Sequence, residues 1–361
     1  MDRPRLPLAT ALLVVVLLVA GCGGSAATET PPPRPTTLGL VANTLHGGSS
    51  IARAQDQARS VGARWLREEI IWERVEPRRG VRDWRRTDRL FADAARRGIR
   101  VLPLLNDAPG WATPQDGGLP TDTAAYGAFV RAAVARYGPG GRFWTARPHL
   151  DVRLAPRWFE LWNEPYYVAG ADGEVDVLEN AARYAALAEA GIAAGHAADP
   201  QARLLVALAA SARSRPDDAV EWLDAVATAD PAVLAAADGY AVHPYGIVRP
   251  SGFLPLDDLI AQLDARGLDR PILLTEVGWS TCRSESECVS ERQQAASLTA
   301  LVDAVRTRYA ARVKATFVYH LHDWRVAPQV EREGSYGLTR IDGSRKPAWF
   351  SFRRAAAAAS R

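Results

Sequence analysis

The chain has 361 residues, 48% of them hydrophobic and 24% charged, a balance that suits a folded globular protein and excludes wholesale disorder. Its 44 basic and 41 acidic residues are interspersed and leave a formal net charge of +3, so nothing marks a nucleic-acid surface. A chain this long can bury one large core or two medium ones.

Arg3 and Arg5 precede an apolar run, PLATALLVVVLLVAG, that ends at Cys22. The run falls short of the roughly 20 residues that span a membrane comfortably, but it fits the hydrophobic region of a secretory signal. Its ending, VAGC, resembles a bacterial lipobox, with Val19 standing where Leu is usual. That resemblance implies a signal peptide over residues 1–21, lipidation of Cys22 and attachment to the outer face of the cell membrane. An ordinary cleaved signal is the alternative, and both readings predict export. Residues 22–37, rich in Gly, Thr and Pro, cannot bury enough apolar surface to offset their ordering and read as a tether.

From residue 38 to 361 short apolar runs alternate with amphipathic segments. The runs are LGLVANTLH, ARWLREEIIW, IRVLPLLNDAPGW, RWFELWNEP, ARLLVALAAS, GYAVHPYG, PILLTEVGW and KATFVYHLHDW. Between them, DWRRTDRLFADAARRG places Leu90, Phe91, Ala94 and Ala95 on one helical face, and Gly98 stops it. AAYGAFVRAAVARYG is a second such helix, SERQQAASLTALVDAVRTRY opens on a capping Ser290, and KPAWFSFRRAAAAASR closes the chain. Eight strands alternating with eight helices predict an α/β fold of the (β/α)8 TIM-barrel type, as a single domain. A doubly wound sheet competes, but no Gly-x-Gly-x-x-Gly follows the first strand. Cys282 and Cys288, six apart, are expected to close a small disulfide loop in an exported protein.

In a barrel the C-terminal strand ends share one mouth. There the runs carry Asn43 and His46; Arg67, Glu68 and Trp72; Asn106, Asp107 and Trp111; Asn163 and Glu164; Ser211; His243 and Tyr245; Glu276 and Trp279; and His320, His322, Asp323 and Trp324. Breaking a glycosidic bond needs a proton for the leaving oxygen and electron density for the developing oxocarbenium ion, which two opposed carboxyls supply. Glu164 and Glu276 end strands on opposite sides of the mouth. Trp and Tyr offer flat faces to sugar rings.

Asn163-Glu164-Pro165 with the Glu of LLTEVGW resembles the clan A glycoside hydrolases. WLREEIIWERVEPRRGVRDW followed by GIRVLPLLNDAPGWA is similar to family 39-like members, among them β-xylosidase relatives and bacterial exopolysaccharide endoglycosidases. The resemblance runs from about residue 38 to 350. It implies that Glu164 is the acid/base, able to hold a proton near neutral pH through its neighbouring carboxylate, and that Glu276 is the nucleophile. It further implies that Arg67 and Tyr245 keep Glu276 ionised, that Asn163 bonds the sugar 2-hydroxyl, and that His243 orders the strand-6 edge. Pro165 is expected to bias Glu164 away from helical geometry. Retention through a glycosyl-enzyme is the implied outcome, with no cofactor. Asn106 stands where many clan members have His. Trp324 is the candidate for the strand-8 aromatic, with Tyr319 or His320 as substitutes, and Trp72, Trp111 and Trp279 are candidates for sugar stacking, each with a place in the core as the alternative.

Other readings stay open. Arg67 could pair with Glu68 or Glu69, and His243 could be a core histidine. His320 and His322 share a face, but no third metal ligand is evident. The partner expected is a polysaccharide, cleaved internally because the aromatics come from separated loops. A surface carbohydrate-binding protein on a hydrolase scaffold is the non-catalytic alternative, and transglycosylation with the same residues is the catalytic one.

Overall fold

The computed structural model describes residues 37–45, 50–113, 118–169, 175–210, 218–246, 253–283, 287–327 and 331–359. The segments before residue 37 expected to be signal and tether, Cys22 among them, lie outside the described residues, as do His46 and Ser211.

Eight strands form a closed barrel in chain order: β1 (Thr37–Val41), β2 (Trp65–Ile71), β3 (Arg100–Asn106), β4 (Trp158–Leu161), β5 (Arg203–Leu208), β6 (Gly239–Val242), β7 (Ile272–Val277) and β8 (Val313–Val318). Every neighbouring pair is parallel, and β8 closes on β1 with Leu40 opposite Val318. One long helix follows each strand: α1 (Ile51–Val61), α2 (Arg85–Arg96), α3 (Thr123–Tyr137), α4 (Val177–Ala198), α5 (Asp218–Ala229), α6 (Leu254–Ala265), α7 (Glu291–Arg306) and α8 (Pro347–Ala359). The (β/α)8 barrel read from the sequence is the fold observed.

The helices form where the pattern placed them. On α2, Leu90, Phe91, Ala94 and Ala95 are buried against the strands. Ser290 caps α7 through a reciprocal box with Gln293, which satisfies backbone donors at the helix start. Strand residues of one parity fill the layer under the helices. Those of the other parity, including Val41, Leu102, Leu205, Leu273 and Phe317, plug the barrel axis. Gly39 is needed beside that plug, because a Cβ there would sit 2.6 Å from the Phe317 ring.

Among the described residues, four that are not glycine adopt positive φ: Asn43, Asp107, Trp162 and Glu164, with angles of 45°, 58°, 69° and 42°. All four follow the C-terminal ends of barrel strands. Such geometry costs on the order of 1–3 kcal/mol per residue, and it persists where packing over-determines it, commonly at functional sites. At Glu164 it corrects the sequence expectation in part. Pro165 does keep that residue out of the right-handed helical region, yet the backbone turns left-handed rather than extended, and Pro165 starts a single 3-10 turn.

Between β7 and α7, Cys282 and Cys288 are joined by a disulfide across six positions. Lys346, at the start of α8, reaches under the loop after β8 and bonds Asp323 and Thr281 at 2.7 Å each. Its side chain is 1% exposed, so a buried ion pair anchors that loop. Among the described residues no helix is long and apolar enough to cross a membrane.

Candidate active site

The C-terminal ends of the strands surround a cavity of about 330 Å³. Arg67, Asn163, Glu164, His243, Tyr245 and Glu276 all line it, so most of the polar set taken from separate strand ends comes together.

Arg67 is the hub of the floor. It points inward from β2, 2% exposed, and its Nε and Nη2 donate to the two oxygens of Glu160 at 2.6 and 3.0 Å. Nη1 donates to Glu276 Oε1 at 2.6 Å, and Nη2 also reaches Asn163 Oδ1 at 2.8 Å. Arg67 therefore pairs across the barrel and not with Glu68, whose carboxylate instead accepts from the Thr44 amide and hydroxyl. Such a forked bidentate grip fixes the guanidinium in orientation as well as place. Burial alone would weaken the Arg67 cation, but the charges of Glu160 and Glu276 outweigh it and raise its affinity for the proton.

Glu276 needs a local irregularity to reach this floor. Alternation along β7 would send either Thr275 or Glu276 outward, but the pairing with β8 shifts register between Leu274 and Val277. Both side chains then reach the interior: Thr275 donates to Glu160 at 2.9 Å while Glu276 takes the Arg67 bond. Tyr245 donates to the other Glu276 oxygen at 2.8 Å. Burial, then the Glu276 charge, raise the Tyr245 phenol well above its usual range, so it remains a donor.

His243 faces the opposite way along the same floor. Its Nδ1 lies 3.0 Å from Glu164 Oε1 and its Nε2 lies 3.0 Å from Thr275 Oγ1. Thr275 gives its own proton to Glu160, so Nε2 must donate to Thr275. With Nδ1 against a carboxyl, the His243–Glu164 pair holds one further proton between them. Burial disfavours the imidazolium. The Glu276 charge and hydrogen bonding toward Glu160 and Glu164 nevertheless push its pKa up to about 9. Burial would likewise raise Glu160, but Arg67's charge holds it down to about 2. The alternative of an isolated core histidine is thereby replaced by one set against three carboxylates, those of Glu160, Glu164 and Glu276.

The two carboxyls differ in setting. The Glu164 side chain is 28% exposed and the Glu276 side chain 11%. Together with His243, their ligand atoms lie within 4.8 Å of one another. Among the described residues this trio is the set that could hold a metal ion. His320 and His322 do not converge: their Nδ1 atoms engage the His322 carbonyl and the Thr339 hydroxyl.

The aromatic expectations need correction. Trp72, Trp111, Trp279 and Trp324 are absent from the cavity lining, and Trp72 is fully buried, stacked on Phe129. Trp111 packs edge-on against Trp72 under the Arg79 guanidinium and donates to the Glu76 carbonyl. Trp279 is 6% exposed and donates to the Gly246 carbonyl. Trp324 lies against His320 and Tyr319, one ring removed. Tyrosines line the cavity instead: Tyr166, Tyr167, Tyr245, Tyr319 and Tyr336. Tyr319 is thus the inward aromatic from the end of β8, and Gly278 makes room, since a Cβ there would fall 2.1 Å from the Tyr319 carbonyl oxygen. Asn106 is also set back from the lining. Its amide donates to Glu69 and its oxygen accepts from the Asn163 amide at 3.2 Å, so it braces the Asn163-Glu164 turn.

Sequence reasoning missed Glu160, Thr275, Tyr166, Tyr167 and Tyr336 altogether. Glu160 had a usable signal: a carboxylate inside an apolar strand, facing the same side as Trp158, calls for a buried cation.

No family model matches the sequence, and no curated protein matches it either. Solved structures do match in fold. A family 39 glycoside hydrolase from the gut symbiont Bacteroides cellulosilyticus gives a TM-score of 0.63 at 20% identity over 90% of this chain, which spans 64% of that one. Xylanase 10B from Thermotoga maritima gives 0.62 at 16% identity, covering 90% of this chain and 95% of its own. A hyperthermophilic beta-glucosidase mutant gives 0.63 at 14% identity, covering 89% and 99%. At these identities the likeness is one of fold, and it falls on the same group of barrels that the sequence motifs resemble.

Proposed function

We propose that the protein is a retaining glycoside hydrolase acting on a polysaccharide or oligosaccharide, with Glu276 as nucleophile and Glu164 as acid/base. The observation that carries this reading is that a carboxylate oxygen of Glu164 and one of Glu276 lie within 4.8 Å of each other at the barrel mouth. Separations of about 5–5.5 Å accompany direct attack by one carboxylate, whereas roughly 6.5–9.5 Å leaves room for an intervening water.

In the first step Glu276 attacks the anomeric carbon while Glu164 protonates the departing oxygen, giving a glycosyl ester and a free hydroxyl. In the second, Glu164 takes a proton from water, the water oxygen bonds the anomeric carbon, and the ester bond breaks to restore Glu276. The partners divide the labour. Arg67 and Tyr245 hold Glu276 as an oriented carboxylate, and the more exposed Glu164 can reach leaving group and water. The proton Glu164 delivers is the one it shares with His243. No cofactor is required by this chemistry. Tyr167, 49% exposed at the cavity edge, supports a sugar beyond the cleaved bond and hence action within a chain. The signal-like segment and Cys22 support a tethered enzyme at the outer face of the cell envelope.

The test is to incubate the full chain and its Glu276→Gln variant with a panel of envelope and plant polysaccharides, following new reducing ends and product sizes. Cleavage by the parent and its loss in the variant is the expected result. Binding without cleavage by both would favour the carbohydrate-binding reading, and lengthened products would favour transglycosylation.

A further inference from the structure

Resting on that reading, we propose that the sugar subsite between Glu164 and Glu276 admits only sugars without an anionic substituent, and that Glu69 sets this selectivity. Four carboxylates line the cavity, those of Glu69, Glu164, Glu276 and Glu333. Among the described residues lining it, the cations are Arg67 and His243. Both are committed to protein groups. All three Arg67 nitrogens donate to Glu160, Glu276 or Asn163, and both His243 nitrogens are bonded, to Glu164 and Thr275. A uronate or sulfate on the bound ring would meet no available guanidinium or ammonium from this floor, and recognition of such anions depends on one.

Glu69 adds to this. It sits two residues beyond Arg67 on β2, so it faces the same side one pleat nearer the mouth. Asn106 links it to the amide of Asn163, and that places its carboxylate beside the sugar site. A carboxylate there bonds hydroxyl or ammonium groups of a sugar and repels its carboxylate form. The device is one of exclusion: it discriminates by an unfavourable contact with the wrong ligand.

The experiment uses one polymer in three forms. A neutral polysaccharide cleaved by the full chain is oxidised at its primary hydroxyls to carboxylates, and a portion of that is then amidated. The oxidised form should be cut at least about a hundredfold more slowly than the native form, and amidation should restore most of the rate, because the amide keeps the size and removes the charge. Glu69→Gln, which can still accept from Asn106, should raise the oxidised-to-native rate ratio by about tenfold or more. Equal cleavage of oxidised and native polymer by the parent, or a ratio unmoved in Glu69→Gln, overturns the proposal. If amidated polymer stays resistant, size and not charge is being read, which also overturns it. Should an acidic polymer be cleaved and no neutral one, this inference alone fails; should neither kind be cleaved, the hydrolase reading fails and this inference with it.

Discussion

His243 Nδ1 lies 3.0 Å from Glu164 Oε1, so an imidazole whose other nitrogen is already a donor shares a proton with the carboxyl proposed as acid/base. The contact joins the floor of the barrel to its mouth. It makes the ionisation of one residue inseparable from that of the other.

The first consequence is a dependence of stability on pH. His243 titrates at about 9 in the fold against an ordinary value of 6.5, so its protonation favours the folded state. That contribution is fully present below pH 6.5 and is lost as pH rises to about 9. Thermal midpoints should therefore fall between pH 7 and 9.5, and the fall should be much shallower in His243→Gln. Equal slopes would place the titration elsewhere.

Glu160 behaves in the opposite sense. Its folded value of about 2 lies below the usual 4.5, so its contribution holds above pH 4.5 and is lost as pH falls toward 2. Replacing it leaves Arg67 buried with half its partners removed. Glu160→Gln should lower unfolding free energy by about 3–5 kcal/mol, the range for breaking a buried pair. Urea titration reads this directly, and a change under about 1 kcal/mol would contradict the hub assigned to Arg67.

Tyr245→Phe keeps the ring and removes the hydrogen bond to Glu276 at 2.8 Å. A bond to a charged group is worth roughly 1.5–3 kcal/mol, so kcat should drop about 10- to 100-fold. By contrast, Trp111→Phe and Trp324→Phe, both outside the cavity lining, should leave kcat/KM within about threefold. A large loss in either Trp variant would return those rings to the site.

How far the sequence was legible follows from these residues. All eight strands showed as apolar runs, because strands buried on both faces repel polar residues except where function needs them. Glu164, Glu276, Asn163, His243 and Tyr245 stood out for the same reason, as polar interruptions near strand ends, and Arg67 as one inside β2. The tryptophans misled because an indole is as suited to a core as to a sugar face, and only packing separates the two. Trp279 is buried with its N–H on a backbone carbonyl, while Tyr166 and Tyr336, from loops without periodicity, supply the cavity wall. Glu160 was passed over because it sits inside a run that otherwise reads as core. The turn at Glu164 was half legible: Pro165 disfavours helix, but the left-handed angle depends on tertiary packing.

Cys282→Ser should cost about 2 kcal/mol, the chain-entropy value for so short a loop, with activity retained. Denaturation with and without reductant measures it. A loss of activity without a loss of stability would tie that loop to the site.

The central claim is a covalent intermediate on Glu276. Glu164→Ala lacks the base for the second step, so the glycosyl-enzyme should accumulate on substrates with a good leaving group. Quenching such a reaction and weighing the intact protein should show added sugar mass, and peptide mapping should place it on Glu276. Turnover with inversion at the anomeric carbon, or an adduct on any other residue, would contradict the mechanism.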